Sequence, residues 1–269
     1  MVTINTEKCT GCALCVKDCF PHNIIIRNGK AQPLSENCMG CGHCVAICPI
    51  NAVEIPNYEM NDVADMTPQK FTAEELLSFI KFRRSIRQYK VCPVEQKLLI
   101  QIIEAGRYTA TAANRQELSF IVVEKEMPLF REHVIKNLAE KGRAMLAAEN
   151  TPLPMKGYAQ RWITIERSYK ENTNDKDTVF FGAPTVILIA GDNPIDAGLA
   201  ASNMELVACA NGLGVLYSGF ITRGAENEKV KMLIGAPAEK EILMALLIGY
   251  PDVQYKRSAP RKKADIIWS

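Results

Sequence analysis

The chain has 269 residues, enough for one domain and a smaller module, and its 48% hydrophobic and 23% charged residues exclude a disordered or fibrous protein. Lys and Arg number 32 against 30 Asp and Glu, and the resulting charge of +2 is too balanced for a chain that wraps nucleic acid or coats an anionic membrane. No run approaches the roughly 18 apolar residues of a membrane span, and the N-terminal MVTINTEKC has neither a basic n-region nor an apolar h-region, so a cytoplasmic protein is expected.

Eight of the ten cysteines fall between Cys9 and Cys48, which marks residues 1–57 as a metal-dense module. The module is an internal repeat. Cys9, Cys12, Cys15 and Cys19 recur as Cys38, Cys41, Cys44 and Cys48, each 29 residues later. Beyond the fourth cysteine the offset reads as 28, with Pro21-His22-Asn23-Ile24 echoing Pro49-Ile50-Asn51-Ala52 and Phe20 as an extra residue. Residues 58–71 carry no apolar period and read as a linker, leaving 72–269 as the second domain.

In that domain Thr72 and Glu75 spell a capping box at the head of a helix through Leu76, Leu77, Ile80 and Phe82. A second helix is expected from about Pro93, a buried strand at 120–123 and a helix over 126–148. Residues 150–178 read as a partly helical lid or exchange segment. A strongly apolar strand is expected at 183–190, then a helix from Asp196, as its cap, to Asn211, closed by Gly212 or Gly214. Strand 215–220, helix 226–234 and strand 242–248 complete a mixed order, so the fold class is α+β around a central sheet.

Two CxxCxxCxxxC runs resemble those of bacterial two-cluster ferredoxins, in which three closely spaced cysteines hold one cluster and the fourth ligates the other. Three thiolates two residues apart in an irregular loop reach three corners of an iron–sulfur cube, while the fourth points toward the neighbouring cube. The expected ligand sets are Cys9, Cys12, Cys15 and Cys48 for one [4Fe–4S] cluster, and Cys38, Cys41, Cys44 and Cys19 for the other. Zinc sites use paired CxxC elements and have no need of this run, and such tight spacing in a chain without an export signal argues against disulfides. Cys92 and Cys209 lie outside both runs and read as structural, and the three histidines are too scattered for a triad.

Arg83, Arg84, Ser85 and Arg87 place three guanidinium groups and a hydroxyl in five residues, a set suited to a phosphate, although alone it also reads as a solvated basic turn. Asn114 and Gln116 lie in a polar loop before a buried strand, Ser218-Gly219 follows a glycine-rich turn, and Pro260-Arg261 belongs to a basic tail. Gly212-Leu213-Gly214 is not a dinucleotide fingerprint, because Tyr217 stands where the third glycine belongs and the glycines follow a helix.

In this order the segments resemble the nitroreductase family of flavoproteins over roughly residues 73–263, with FRRSIRQYK the most specific piece. The resemblance implies FMN, with Arg83, Arg84, Ser85 and Arg87 on its phosphate and ribityl chain, Asn114 and Gln116 on the polar side of the flavin, Ser218 and Gly219 near the ring, and Arg261 as a late phosphate ligand. It also implies a homodimer with FMN in the subunit interface. The apolar helix 196–211 suits that interface and suits burial within one chain equally well.

The expected function is an FMN-dependent oxidoreductase that passes electrons between the clusters and FMN to reduce a small conjugated acceptor, such as a nitroaromatic, a quinone or an activated alkene. NAD(P)H or an external ferredoxin is the expected donor, and neither nucleic acid nor membrane is an expected partner. Substrate choice is expected to lie mainly in residues 143–181. The alternative is an electron-transfer adaptor that serves a protein partner and has no dedicated small substrate.

Overall fold

A computed structural model describes residues 2–34, 37–65, 71–171 and 177–269. They form two units, Met1–Lys70 with Thr111–Gln116, and Phe71–Ala110 with Glu117–Ser269.

In the first unit β1 (Thr3–Ile4) pairs antiparallel with β4 (Val53–Glu54), and β2 (Ile24–Arg27) with β3 (Lys30–Pro33). The β2–β3 hairpin closes on Asn28-Gly29 at φ 51° and 70°, the two left-handed residues that a tight hairpin turn requires. Two single-turn helices, α1 (Leu14–Asp18) and α2 (His43–Ala46), begin after Ala13 and Gly42, both left-handed and 29 residues apart. Each helix carries the third cysteine of its run, Cys15 and Cys44, into a small core with Val2, Ile24, Ala31, Ala52, Val53 and Ile55.

The repeat does not slip to 28 after the fourth cysteine. Asn23 N–H donates to Cys19 Sγ at 3.2 Å and Ala52 N–H to Cys48 Sγ at 3.3 Å, while His22 and Asn51 share left-handed φ values of 51° and 49°. All these pairs keep the 29-residue offset. The turn is set by backbone N–H groups reaching back to sulfur, so the count from the cysteine fixes it and the proline does not. Phe20 therefore takes the place of Pro49, with its ring exposed.

Within the expected linker the described residues contain a 3₁₀ turn at Met60–Asp62, and residues 66–70 lie outside the description.

The second unit is built on an antiparallel sheet in the order β5 (Ser119–Val123), β6 (Thr185–Gly191), β8 (Glu241–Gly249), β7 (Gly214–Tyr217). All of β6 is buried, and strand alternation sends its side chains to two cores. Ile187 and Ile189 face α4 (Gln96–Arg107) and α7 (Pro194–Ala210). Val186, Leu188 and Ala190 share the other core with Phe130, Val134 and Leu138 of α5 (Met127–Ala147) and Trp162 of α6 (Leu153–Lys170). Truncating a fully buried side chain such as Ile189 to Ala should cost roughly 2–5 kcal/mol.

Several expected boundaries shift for identifiable reasons. Asn193, not Asp196, caps α7, because its side-chain oxygen accepts Ile195 N–H at 2.9 Å; Asp196 falls in the first turn, where its charge suits the helix dipole. The strand expected to reach Phe220 stops at Tyr217, because Ser218 accepts Ile221 N–H and starts α8 (Gly219–Ala225), whose first two residues the strand reading had covered; α9 (Glu228–Leu233) follows. The segment 150–178 is partly helical as expected, with one continuous helix over 153–170, and residues 172–176 lie outside the description.

The capping box opens α3 (Ala73–Phe82) as the sequence implies: Thr72 Oγ accepts Glu75 N–H at 3.1 Å and the Glu75 carboxylate accepts Thr72 N–H at 2.7 Å. Leu76, Leu77, Ile80 and Phe82 on this helix are exposed.

Candidate functional site

The cysteines of the first unit gather in two groups that cross the repeat. Cys9, Cys12, Cys15 and Cys48 line one small cavity with Leu14, Ala31 and Val53, and Cys19, Cys38, Cys41 and Cys44 line another with Ile24, Met39 and Ile55. The thiols surround a space; among the described residues no three His, Cys, Asp or Glu side chains are arranged as ligands of a single ion. Cys9 Sγ accepts N–H groups from Gly11 and Ala31, each at 3.4 Å. The Ala31 amide is the chief reason that the Cys9 thiol lies below its ordinary pKa. Burial acts the other way on Cys15, and it pushes Cys44 up to about 11 with help from its neighbours Cys41 and Cys38. Iron cations within such a ring offset that burial cost, and the donor set of eight soft thiols in apolar cavities suits iron–sulfur clusters.

Gly11 shows how tightly the first run is drawn in. It has φ 71°, and a Cβ there would stand 2.1 Å from the Gly29 carbonyl oxygen, so the loop between Cys9 and Cys12 closes against the hairpin turn only with glycine.

In the second unit the arginine segment lies along β7. Ile86 N–H donates to Val215 O at 3.0 Å, Ser85 bridges Val215 in parallel, and Lys90 N–H donates to Tyr250 O at 2.8 Å. Tyr89, buried beneath, places its hydroxyl 3.1 Å from Ile86 O and 3.3 Å from Leu247 O. These backbone bonds tie Ser85 and Ile86 to β7 and residues 88–90 to the segment that follows β8, and β7 itself ends just before Ser218.

The three guanidinium groups have different surroundings. Arg83 pairs with the carboxylate of Glu205, a residue of α7 that is only 3% exposed, and the Tyr217 hydroxyl lies 3.0 Å from the same carboxylate. Arg83 Nε is buried without a hydrogen-bond partner. Arg84 stacks 4.0 Å over the Tyr255 ring, and Arg87 stands 6.0 Å from the Phe181 ring centre. Neither is ion-paired among the described residues, so both keep N–H donors for an anion. The orphaned Arg83 Nε and these two uncommitted forks suit a phosphate. Arg261 is exposed and donates to Pro260 O at 3.1 Å.

Ser218 and Gly219 line a cavity of about 410 Å³ with Trp162, Met145, Thr222 and Met244. It is walled by α5, α6, α8 and β8.

Thr111–Gln116 groups with the first unit, where Asn114 Nδ2 donates to Gly40 O at 2.9 Å and Gln116 Nε2 to the Tyr58 hydroxyl at 3.0 Å. The sequence reading did not single out Glu205. Its signal was an isolated acid within the small, apolar run from Ala197 to Ala210, where burial implies a cationic partner.

Two rings of thiols in one unit suit iron–sulfur clusters, and the arginine segment on the antiparallel sheet of the other suits an anion. The chain belongs to the nitroreductase family, which it matches over residues 80–250, and residues 1–49 match a 4Fe-4S dicluster domain. An NADPH-dependent oxidoreductase of Staphylococcus saprophyticus is 25% identical over 67% of this chain and 66% of its own length. An FMN reductase [NAD(P)H] of Bacillus subtilis is 29% identical over 66% of each chain. Among solved structures, a nitroreductase with bound FMN from Bacteroides fragilis aligns with a TM-score of 0.55 at 19% identity, covering 72% of this chain and 99% of that one. The chain thus spans about two thirds of the length of the curated relatives named here. Among the described residues no helix is long and apolar enough to cross a membrane.

Proposed function

We propose that the protein is an FMN-dependent oxidoreductase that couples two [4Fe–4S] clusters to the flavin and reduces a small conjugated acceptor: a nitroaromatic, a quinone or an activated alkene. The observation that carries this reading is the presence in one chain of two separate thiol quartets and an arginine segment with unpaired guanidinium donors. Bound FMN takes up a hydride and gives up electrons singly or in pairs, whereas each cluster carries one electron at a time.

The remaining roles belong to the chain. Cys9, Cys12, Cys15 and Cys48 hold one cluster, and Cys19, Cys38, Cys41 and Cys44 the other. Arg83, Arg84, Ser85 and Arg87 bind the phosphate and ribityl chain of FMN, with Arg261 as an additional cation, and Ser218 and Gly219 approach the ring. Glu205 holds Arg83 in place and sets the charge of the phosphate site.

No acid–base pair or activated nucleophile is needed, because the cofactors supply the chemistry and the protein orients them. The working form is a homodimer with FMN in the interface. Support comes from the exposed apolar residues of α3 and from Ile266, Ile267 and Trp268, exposed in a C-terminal stretch without regular structure. NADPH or NADH is the donor, in keeping with the names of the relatives, and reduced ferredoxin is an additional one.

The test is anaerobic. NADPH or NADH alone should bleach the flavin of the reconstituted protein, and a panel of nitroaromatics, quinones and activated alkenes should restore its colour. If neither nucleotide bleaches it and no small acceptor reoxidises it, the chain serves a protein partner as an adaptor and has no substrate of its own.

A further inference from the structure

We propose that the two clusters are unequal: the hairpin turn Asn28–Ala31, chiefly through Lys30, raises the reduction potential of the cluster held by Cys9, Cys12, Cys15 and Cys48, so that the first electron to enter the module settles there. This inference rests on the proposed ligand sets. It goes beyond them by giving the two clusters an order.

The internal repeat supplies the comparison. Its 29-residue offset continues past Ala52, since Asn28 and Asn57 are both left-handed, with φ of 51° and 71°. The residue after each asparagine closes on the matching glycine of a cysteine run. A Cβ on Gly11 would stand 2.1 Å from Gly29 O, and one on Gly40 would stand 2.9 Å from the Tyr58 hydroxyl. The third and fourth cysteines are also alike: Cys15 and Cys44 are both buried, and Asn23 and Ala52 N–H reach Cys19 and Cys48 Sγ at 3.2 and 3.3 Å. Against this matched background, two differences stand out.

The first is charge. Half-buried Lys30 donates from Nζ to Cys9 O at 2.5 Å, which fixes a cation on the backbone of a cluster ligand. The matching position in the second copy is Glu59, exposed and of opposite sign. The second difference is at the first cysteine of each run. Cys9 Sγ accepts N–H groups from Gly11 and from Ala31 in the hairpin, each at 3.4 Å. Among the described residues, neither Gly40 nor Met60, which match them, donates to Cys38 Sγ.

Both differences act in one direction. Reduction adds one negative charge to a cluster that its thiolates already make anionic. A nearby cation and N–H dipoles aimed at sulfur stabilise that added charge, and a carboxylate opposes it. In a module that carries one electron, the electron therefore rests on the cluster of Cys9, Cys12, Cys15 and Cys48. When both clusters are filled, the other one is the stronger reductant.

The test is an anaerobic redox titration of full-length holoprotein followed by EPR, with each signal assigned by its loss in Cys19→Ala or in Cys48→Ala. In wild type the signal lost in Cys48→Ala should appear at the higher potential. Lys30→Gln removes the charge and keeps an amide donor. It should lower the reduced-to-oxidised ratio of that cluster roughly tenfold at a fixed potential, about 59 mV for a one-electron couple, and leave the other cluster unmoved. Lys30→Arg keeps the charge and should stay close to wild type. Glu59→Lys should raise the potential of the other cluster by less, because an exposed charge is screened, and it tests the same claim from the opposite side if Lys30→Gln does not load iron.

Equal potentials in iron-loaded wild type, or a higher one for the cluster of Cys38, Cys41 and Cys44, would overturn this inference alone. The same holds for no shift in any iron-loaded Lys30 or Glu59 variant, for equal shifts of both clusters in Lys30→Gln, and for a shift in Lys30→Arg as large as in Lys30→Gln. Wild-type protein without iron would overturn the cluster reading itself.

Discussion

The two units keep their chemistry in different places along the chain. In the first, all eight candidate ligands lie between Cys9 and Cys48, and the residue type itself names the chemistry proposed for them. In the second, the candidate residues are spread over 83–87, 205, 218–219 and 261, and what an arginine can do depends on a partner far away in sequence. Arg83 faces Glu205, Arg84 rests on Tyr255, and Arg87 lies near Phe181. Spacing therefore suffices to group the cysteines of the first unit, while the arginine surroundings of the second need the fold.

The largest expected effect sharpens the first half of that comparison. Anaerobically prepared protein should contain about eight irons and about one FMN per chain. Cys19→Ala should abolish the signal of the Cys38, Cys41 and Cys44 cluster, and Cys48→Ala that of the Cys9, Cys12 and Cys15 cluster, as read by EPR and iron analysis. Loss of the cluster belonging to each cysteine's own run would reverse the crossed assignment, and zinc in place of iron would discard it.

The second site should respond unevenly to removal of its arginines. Arg84→Ala and Arg87→Ala delete charge-assisted contacts worth about 1.5–3 kcal/mol, so FMN affinity should fall roughly 10-fold to 100-fold while riboflavin affinity changes far less. Arg83→Ala should in addition leave Glu205 buried without its cation and lower unfolding stability by about 3 kcal/mol. Adding Glu205→Gln should recover much of that loss. Chemical denaturation together with fluorescence titration separates the two effects. Identical behaviour of all three arginine variants would remove the distinction drawn between them.

Legibility followed the same division. The 29-residue repeat, the capping box of α3 and the buried strand β6 were readable because local spacing or a continuous apolar run determines them. The slip to 28 was misread because Pro21 and Pro49 caught the eye, whereas the turn obeys N–H bonds to Cys19 and Cys48 sulfur. Ser218 was read as lying within a strand over 215–220, because a serine cap and a strand residue look alike without Ile221 N–H in view. Glu205 was hidden because its partner lies 122 residues away.

A smaller effect probes the second unit away from the flavin residues. Glu166 is held below the usual carboxylate range, first by its hydrogen bond from Arg143 at 2.7 Å, with burial opposing and Lys170 at 2.9 Å assisting. A depressed folded pKa means that this stability is complete above the unfolded value of about 4.3 and is lost as pH falls through the lower folded value. The Tm difference between wild type and Glu166→Gln should therefore hold from about pH 7 to pH 5 and shrink below about pH 4. A difference that grows on acidification would show that the pair does not stabilise the fold. At the opposite extreme, burial pushes the Cys209 thiol up to about 11, so at pH 8 it should alkylate much more slowly than a free cysteine in unfolded protein.

The central claim is that the thiol quartets and the flavin work as one electron path. The most direct measurement is anaerobic stopped-flow reduction of the flavin by reduced ferredoxin, comparing wild type with a Cys12→Ala, Cys41→Ala double variant that retains FMN but has lost both clusters. The account predicts that the double variant loses most of the rate with ferredoxin yet is still reduced by a small chemical reductant. Equal rates with ferredoxin in the two proteins would contradict it and leave the clusters without a role toward this flavin.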